Sequence, residues 1–276
     1  MFDRKVLKDR AKIVLMRSYS TIFLACVIVY FASSWGLGIS TKKISTLRFD
    51  TMPPEKIFIV LVIVAISSII AIAMSIFVLS PLQVGLKKLM IENSYANAPL
   101  TLLLFPFGDN YKNIVLVQFM KELFVFLWSI PAVIPTILIW FTVGDITPLL
   151  LAVQAESIPA IMKALGLIFI WFAATLIFSV PYIIKSLQYT LVPYILAERP
   201  QTGWRSALEE SKEMMVGNKW AYVKLIFSFA LWYIAANLLC CIGGILVMPY
   251  VEATVTEMYI ELSGKPDYVD NNFYGE

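Results

Sequence analysis

Long apolar runs separated by short polar stretches set the pattern of this chain. The runs cover about residues 20–39, 57–80, 114–142, 161–183, 220–242 and 245–262. Each holds roughly 18 residues or more, enough at ~1.5 Å per helical residue to cross a hydrocarbon core ~30 Å thick. A bilayer interior leaves backbone groups no water to bond, so spans are helices or closed barrels. These runs are continuous and lack the alternation of barrel strands, so the pattern predicts helices. The third run is on the order of 40 Å long as a helix. Its first turns, with Gln118, Lys121 and Glu122, are therefore expected at headgroup depth, and Pro131 and Pro135 are expected to kink it. Lys121 and Glu122 are neighbours pointing about 100° apart on a helix, so no direct pairing is expected. The sixth run is the shortest, and a re-entrant segment is its alternative. Residues 100–107 are apolar but too short to span, and are expected in the interface. Pro81 ends the second apolar run.

The polar stretches have patterns of their own. Residues 1–18 set Arg4, Lys5, Lys8, Arg10, Lys12 and Arg17 beside Val6, Leu7, Ala11, Val14 and Leu15, a basic amphipathic segment suited to anionic lipid headgroups. A signal-peptide opening is the rival reading, disfavoured because the following run is long and no small-residue cleavage site comes after it. Residues 184–219 form a polar connection with an amphipathic helix at 203–216. There Trp204, Ala207, Leu208, Ser211, Met214 and Met215 share one helical face, and Gly217 is placed to stop it. Gly243-Gly244 allows a tight reversal between the last two runs.

Composition agrees with lipid as the solvent. The 276 residues are 59% hydrophobic and 15% charged, with a mean hydropathy of +0.78. A soluble domain carries about 25% charged residues. The fold expected is all-α: a polytopic transmembrane helical bundle of about six spans, with cytoplasmic amphipathic helices, in a single integral-membrane domain. With the N-terminus inside, the inner segments 1–18, 81–113, 184–219 and 263–276 hold 15 Lys and Arg, and the outer loops 40–56 and 143–160 hold 4. That bias puts both termini in the cytoplasm of a cell-membrane protein.

The absence of histidine removes His-based acid–base catalysis, Ser-His-Asp triads and His-containing metal sites. Cys26, Cys240 and Cys241 lie in apolar runs and make no disulfide framework. No phosphate-binding loop, nucleophile elbow or zinc signature occurs. No cofactor, metal or nucleic acid is expected.

From Pro181 onward the motifs resemble a known family. They run Pro181, Lys185, Tyr189 and Tyr194-Ile195-Leu196-Ala197-Glu198-Arg199-Pro200. Then come Ala207-Leu208, Ser211-Lys212, Met214-Met215, Gly217 and Lys219, followed by Ser228-Phe229 with Trp232, and Pro249-Tyr250 with Ala253-Thr254. This order resembles a bacterial multi-pass membrane family, common in Gram-positive bacteria and catalogued as a domain of unknown function. That family is distantly akin to the membrane domain of some glycerophosphodiester phosphodiesterases. Tyr182 departs from the glycine often found there. The resemblance implies a multi-pass membrane protein and no established activity.

Two groups of candidate residues follow. An intramembrane polar site is expected around Glu252 and Glu257, with Tyr250, Thr254 and Asn237. Carboxylates at bilayer depth are costly and face a bundle interior or wet cavity. They would serve either a transport path or a polar clamp between helices, with Lys121, Lys185 or Lys224 as the partner. A cytoplasmic motif is expected at Lys185, Tyr189, Tyr194, Pro200, Ser211, Met214, Met215, Gly217 and Lys219, where a membrane-protein partner could dock. The functional expectation is a non-enzymatic accessory or scaffold protein of the cell envelope. The alternative is a small-molecule or lipid transporter, or a lipid-handling protein, using the last span.

Overall fold

A computed structural model describes residues 2–44, 53–143, 158–239 and 243–264, and among these every regular element is helical. Residues 45–52 of the predicted loop at 40–56, most of the predicted loop at 143–160, the tail after Gly264, and Cys240 and Cys241 fall outside the described residues. In chain order the helices are α1 (Arg4–Ile44), α2 (Pro54–Met74), α3 (Ser80–Tyr95), α4 (Tyr111–Val143), α5 (Ile158–Gln188), α6 (Val192–Glu198), α7 (Trp204–Met214), α8 (Lys219–Phe227), α9 (Ala230–Leu239) and α10 (Gly243–Leu262). Four stretches are long and apolar enough to cross a membrane: Arg4–Ser33, Glu55–Tyr95, Tyr111–Leu138 and Leu165–Glu198. The apolar windows of the second and fourth have no buried residues at all. Side chains such as Phe58, Ile63, Ile69, Phe169 and Ile177 stand more than half exposed. Contiguous apolar surface of that extent is foreign to water-soluble monomers and consistent with a membrane protein.

The chain forms two compact units. One holds residues up to Phe119 together with those from Leu191 onward; the other holds Met120–Thr190. The second unit contains the rest of α4 and all of α5. Helix α4 continues through Pro131 and Pro135. Within this unit Lys121 does pair with Glu122, at 2.8 Å. The Cβ directions of adjacent residues diverge, but two long, flexible side chains close the gap, which corrects the expectation from helix geometry alone.

The first unit is built around α10. Its residues Ala253–Ile260 are buried on every face, against α1, α3 and the helices nearby. Helix α1 turns at Ser18, whose backbone leaves helical geometry (φ −138°) and whose hydroxyl bonds the Asn97 side chain at 2.7 Å. The N-terminal arm before this turn buries Leu7, Ala11 and Val14. That apolar face is therefore covered by protein and is not laid on a lipid surface. After the turn, Ile22, Ala25, Cys26 and Val29 pack on Leu82, Leu86, Leu89 and Met90 of α3.

Pro81 does not end its helix. A π turn at Ser75–Leu79 carries α2 into α3. Proline lacks an N–H and crowds the carbonyl four residues back; that carbonyl, Phe77 O, instead accepts the Tyr111 hydroxyl at 2.8 Å. The apolar segment 100–107 is a 3-10 helix packed on α3, so closely that a Cβ on Gly85 would meet Leu103 O at 2.1 Å. The fifth predicted span is two helices, α8 and α9, parted at Ser228 and Phe229. There the N–H groups turn to i−3 carbonyls, the tighter pattern common at helix ends. Helix α9 reverses into α10, and a Cβ on Gly243 would lie 2.0 Å from Ala236 O. Gly217, at φ +76°, follows α7 in the left-handed region that glycine occupies without cost.

Candidate functional site: a buried polar cluster on the last helix

Helix α10 carries three carboxylates, two partnered by α3 and one by α1. Glu252 accepts a charged hydrogen bond from Lys87 of α3, with both side chains at most one-fifth exposed. Glu257, 4% exposed, accepts the Ser94 hydroxyl at 2.7 Å. Glu261 lies 3.7 Å from Arg10 of α1. Lys87 and Ser94 are seven positions apart and therefore share a face of α3. Removing one member of such a pair would strand a buried charge, which is why buried ions occur with partners.

Aromatic and hydroxyl groups close the cluster. The Lys87 ammonium sits 5.0 Å from the centroid of the Tyr194 ring, within cation–π range. That ring stacks on Tyr259 at 5.0 Å, with 24° between planes. The Tyr259 hydroxyl donates to Glu198 at 3.0 Å, tying α10 to the end of α6. Thr254 and Thr256 turn their hydroxyls to the carbonyls of Tyr250 and Glu252, at 2.7 and 2.9 Å. Back-bonding of this kind satisfies a hydroxyl inside the helix that carries it. Ser211 of α7 accepts the Leu191 N–H at 3.2 Å, anchoring the start of α6.

Of the residues expected to form an intramembrane site, Glu252 and Glu257 lie in this cluster, and Tyr250 and Thr254 lie on the same helix. The Asn237 side chain lies outside those described. Of the expected cytoplasmic motif, Tyr194 and Ser211 reach the cluster or its supports, and Met215 is fully buried. Met214 and Lys219 are half-buried. Pro200 holds its carbonyl to the Asn113 side chain at 2.7 Å. Lys185 and Tyr189 belong to the other unit, where Lys185 lies 5.0 Å from the Trp128 ring.

The partner of Glu252 is none of the three lysines expected from the sequence. Lys121 pairs with Glu122, Lys185 covers Trp128, and Lys224 is exposed. Sequence reading missed Lys87, Ser94 and Glu198. A signal was available for the first two: Val84, Lys87, Ile91 and Ser94 fall at i, i+3, i+7 and i+10, one stripe of α3, and the apolar members mark it as inward-facing. Among the described residues no group of three His, Cys, Asp or Glu side chains could hold a metal ion.

These features define an all-helical protein with four helices fit to cross a membrane and a carboxylate-bearing last helix held inside its own fold. The chain belongs to the family described as "Protein of unknown function (DUF975)", which it matches over residues 1–265. No curated protein and no solved structure matches it.

Proposed function

We propose that this is a non-enzymatic accessory or scaffold protein of the cell membrane, with both termini in the cytoplasm and a partner docked on the segment from Val192 to Lys219. The observation that carries the reading is the engagement of the α10 carboxylates. Glu252 is neutralised by Lys87 and Glu257 is bonded by Ser94 inside packed side chains, an arrangement that joins helices and does not line a path. The same segment supplies the outward side of α7, where Arg205, Glu209, Lys212 and Glu213 are exposed. Mixed charge over a rigidly seated helix suits recognition of another protein.

A photo-crosslinking residue at position 209 or 213 tests this. A discrete adduct in native membranes is expected, lost when Arg205 and Lys212 are both changed to Glu. Diffuse labelling that ignores the charge reversal would defeat the proposal. The second reading, transport through the last helix, draws on the three carboxylates, Glu252, Glu257 and Glu261, that α10 carries. It requires Glu252→Gln with Glu257→Gln to abolish a transport phenotype in protein that still folds.

A further inference from the structure

Beside the N-terminal arm of α1 lies a shallow groove of about 640 Å³, walled by Lys8, Lys12, Met16 and Tyr19 of α1, Trp232 of α9 and Tyr250 of α10. No lining residue is acidic. We propose that this groove binds one anionic phospholipid, its phosphate held by Lys8 and Lys12 and its upper acyl chain laid along Met16 and Trp232.

Four observations converge on that occupant. First, Lys8 and Lys12 are one helical turn apart, so both ammonium groups can meet one phosphate. Lys8 is braced 4.4 Å from the Phe229 ring, and Lys12 donates to Asp9 at 2.8 Å, which uses one of its three protons. Second, the wall is braced from behind: Phe229, fully buried, packs edge to face with the lining Tyr250 at 5.2 Å between centroids. Third, the apolar wall is open, with Met16 81% and Trp232 59% exposed. A free phosphate has no use for such a wall, whereas an acyl chain does. Fourth, the groove ends at the Ser18 turn, where the first apolar run begins. Tyrosine, tryptophan and lysine at that level match the headgroup zone of a bilayer. Burial of Leu7, Ala11 and Val14 under protein turns a diffuse basic helix into a defined pocket.

The test uses the full-length protein in neutral detergent. It is titrated with phosphatidylglycerol, with phosphatidylcholine of the same chains, and separately with inorganic phosphate. Bound lipid is read by native mass spectrometry and stabilisation by thermal unfolding. One phosphatidylglycerol per chain is expected, with phosphatidylcholine and phosphate far weaker. Lys8→Gln with Lys12→Gln should weaken phosphatidylglycerol binding roughly thirtyfold, while Arg4→Gln with Lys5→Gln, an equal loss of charge outside the groove, should change it by less than about threefold. If the first pair unfolds the protein, Lys12→Gln with Tyr250→Phe takes its place, with a loss of roughly fivefold or more expected. Equal losses in both charge pairs would mean diffuse attraction and overturn the site, as would phosphate stabilising as strongly as the lipid. Partner docking on α7 would survive either failure.

Discussion

Lys87 and Glu252 show how one pair of side chains can decide whether a helix is tolerated in the interior. A lone carboxylate on α10 would bring an uncompensated charge into the packed interior; Glu252 is instead paired with the Lys87 ammonium, both side chains being at most one-fifth exposed. Breaking a buried pair from one side leaves the other charge uncompensated, at a cost of about 3–5 kcal/mol, whereas replacing both partners by apolar groups is often close to neutral. Lys87→Met and Glu252→Leu should therefore each lower the unfolding midpoint in detergent severely, and the double variant should recover most of the loss. Single variants that lose under ~1 kcal/mol would show that the pair is solvated and contributes little. The sequence made Glu252 and Glu257 legible because a carboxylate in an apolar run is conspicuous. It left Lys87 obscure because that residue is 165 positions away, next to a second lysine in a mixed stretch. Periodicity gives the face a residue occupies; it does not give what lies opposite.

At the scale of elements, close backbone approaches set where helices lie. Gly85 and Gly166 both sit inside helices, so helix propensity alone predicts that alanine stabilises each by up to ~1 kcal/mol. The surroundings separate them. At Gly85 a Cβ would overlap the Leu103 carbonyl, and the 3-10 helix would have to lift off α3; at Gly166 there is nothing within 4 Å. Gly85→Ala is expected to destabilise by about 3 kcal/mol or more, and Gly166→Ala to be neutral or slightly stabilising, by thermal unfolding of the purified protein. Similar behaviour of the two variants would remove the close approach from the account. This scale also shows what apolar runs can reveal. They mark which segments are helical and greasy, and the four helices fit to cross a membrane were visible that way. They do not report that α1 begins well before its apolar run, that a π turn carries the chain past Pro81, or that Ser228 and Phe229 part α8 from α9. The first two involve hydrogen bonds to distant groups, Ser18 with Asn97 and Tyr111 with Phe77, and the third a local switch to i−3 bonds that hydrophobicity does not report.

Whole-molecule topology follows from contacts that cannot straddle a bilayer. Arg10 near the start of the chain reaches Glu261 near the end of α10, and Tyr259 reaches Glu198. We therefore expect both ends of the described chain to share one side and the number of crossings to be even. Four and six both satisfy this, and lengths separate them. The apolar run at about 57–80, through α2 and the π turn, already covers ~36 Å, so Lys87 lies ~10 Å beyond its end. Glu252 is held beside Lys87, and the ten residues from Gly243 to Glu252 rise only ~14 Å. The turn before α10 thus enters less than half of a ~30 Å core. We expect α9 and α10 to form a re-entrant hairpin and the chain to cross four times. Cysteines placed singly in a variant lacking the native three would decide it. In intact cells an impermeant maleimide should label Thr46→Cys and leave Lys5→Cys, Lys212→Cys and Ile245→Cys untouched until the membrane is opened. Labelling at 245 from outside would restore six crossings, and labelling at 5 or 212 would invert the orientation read from the lysines and arginines.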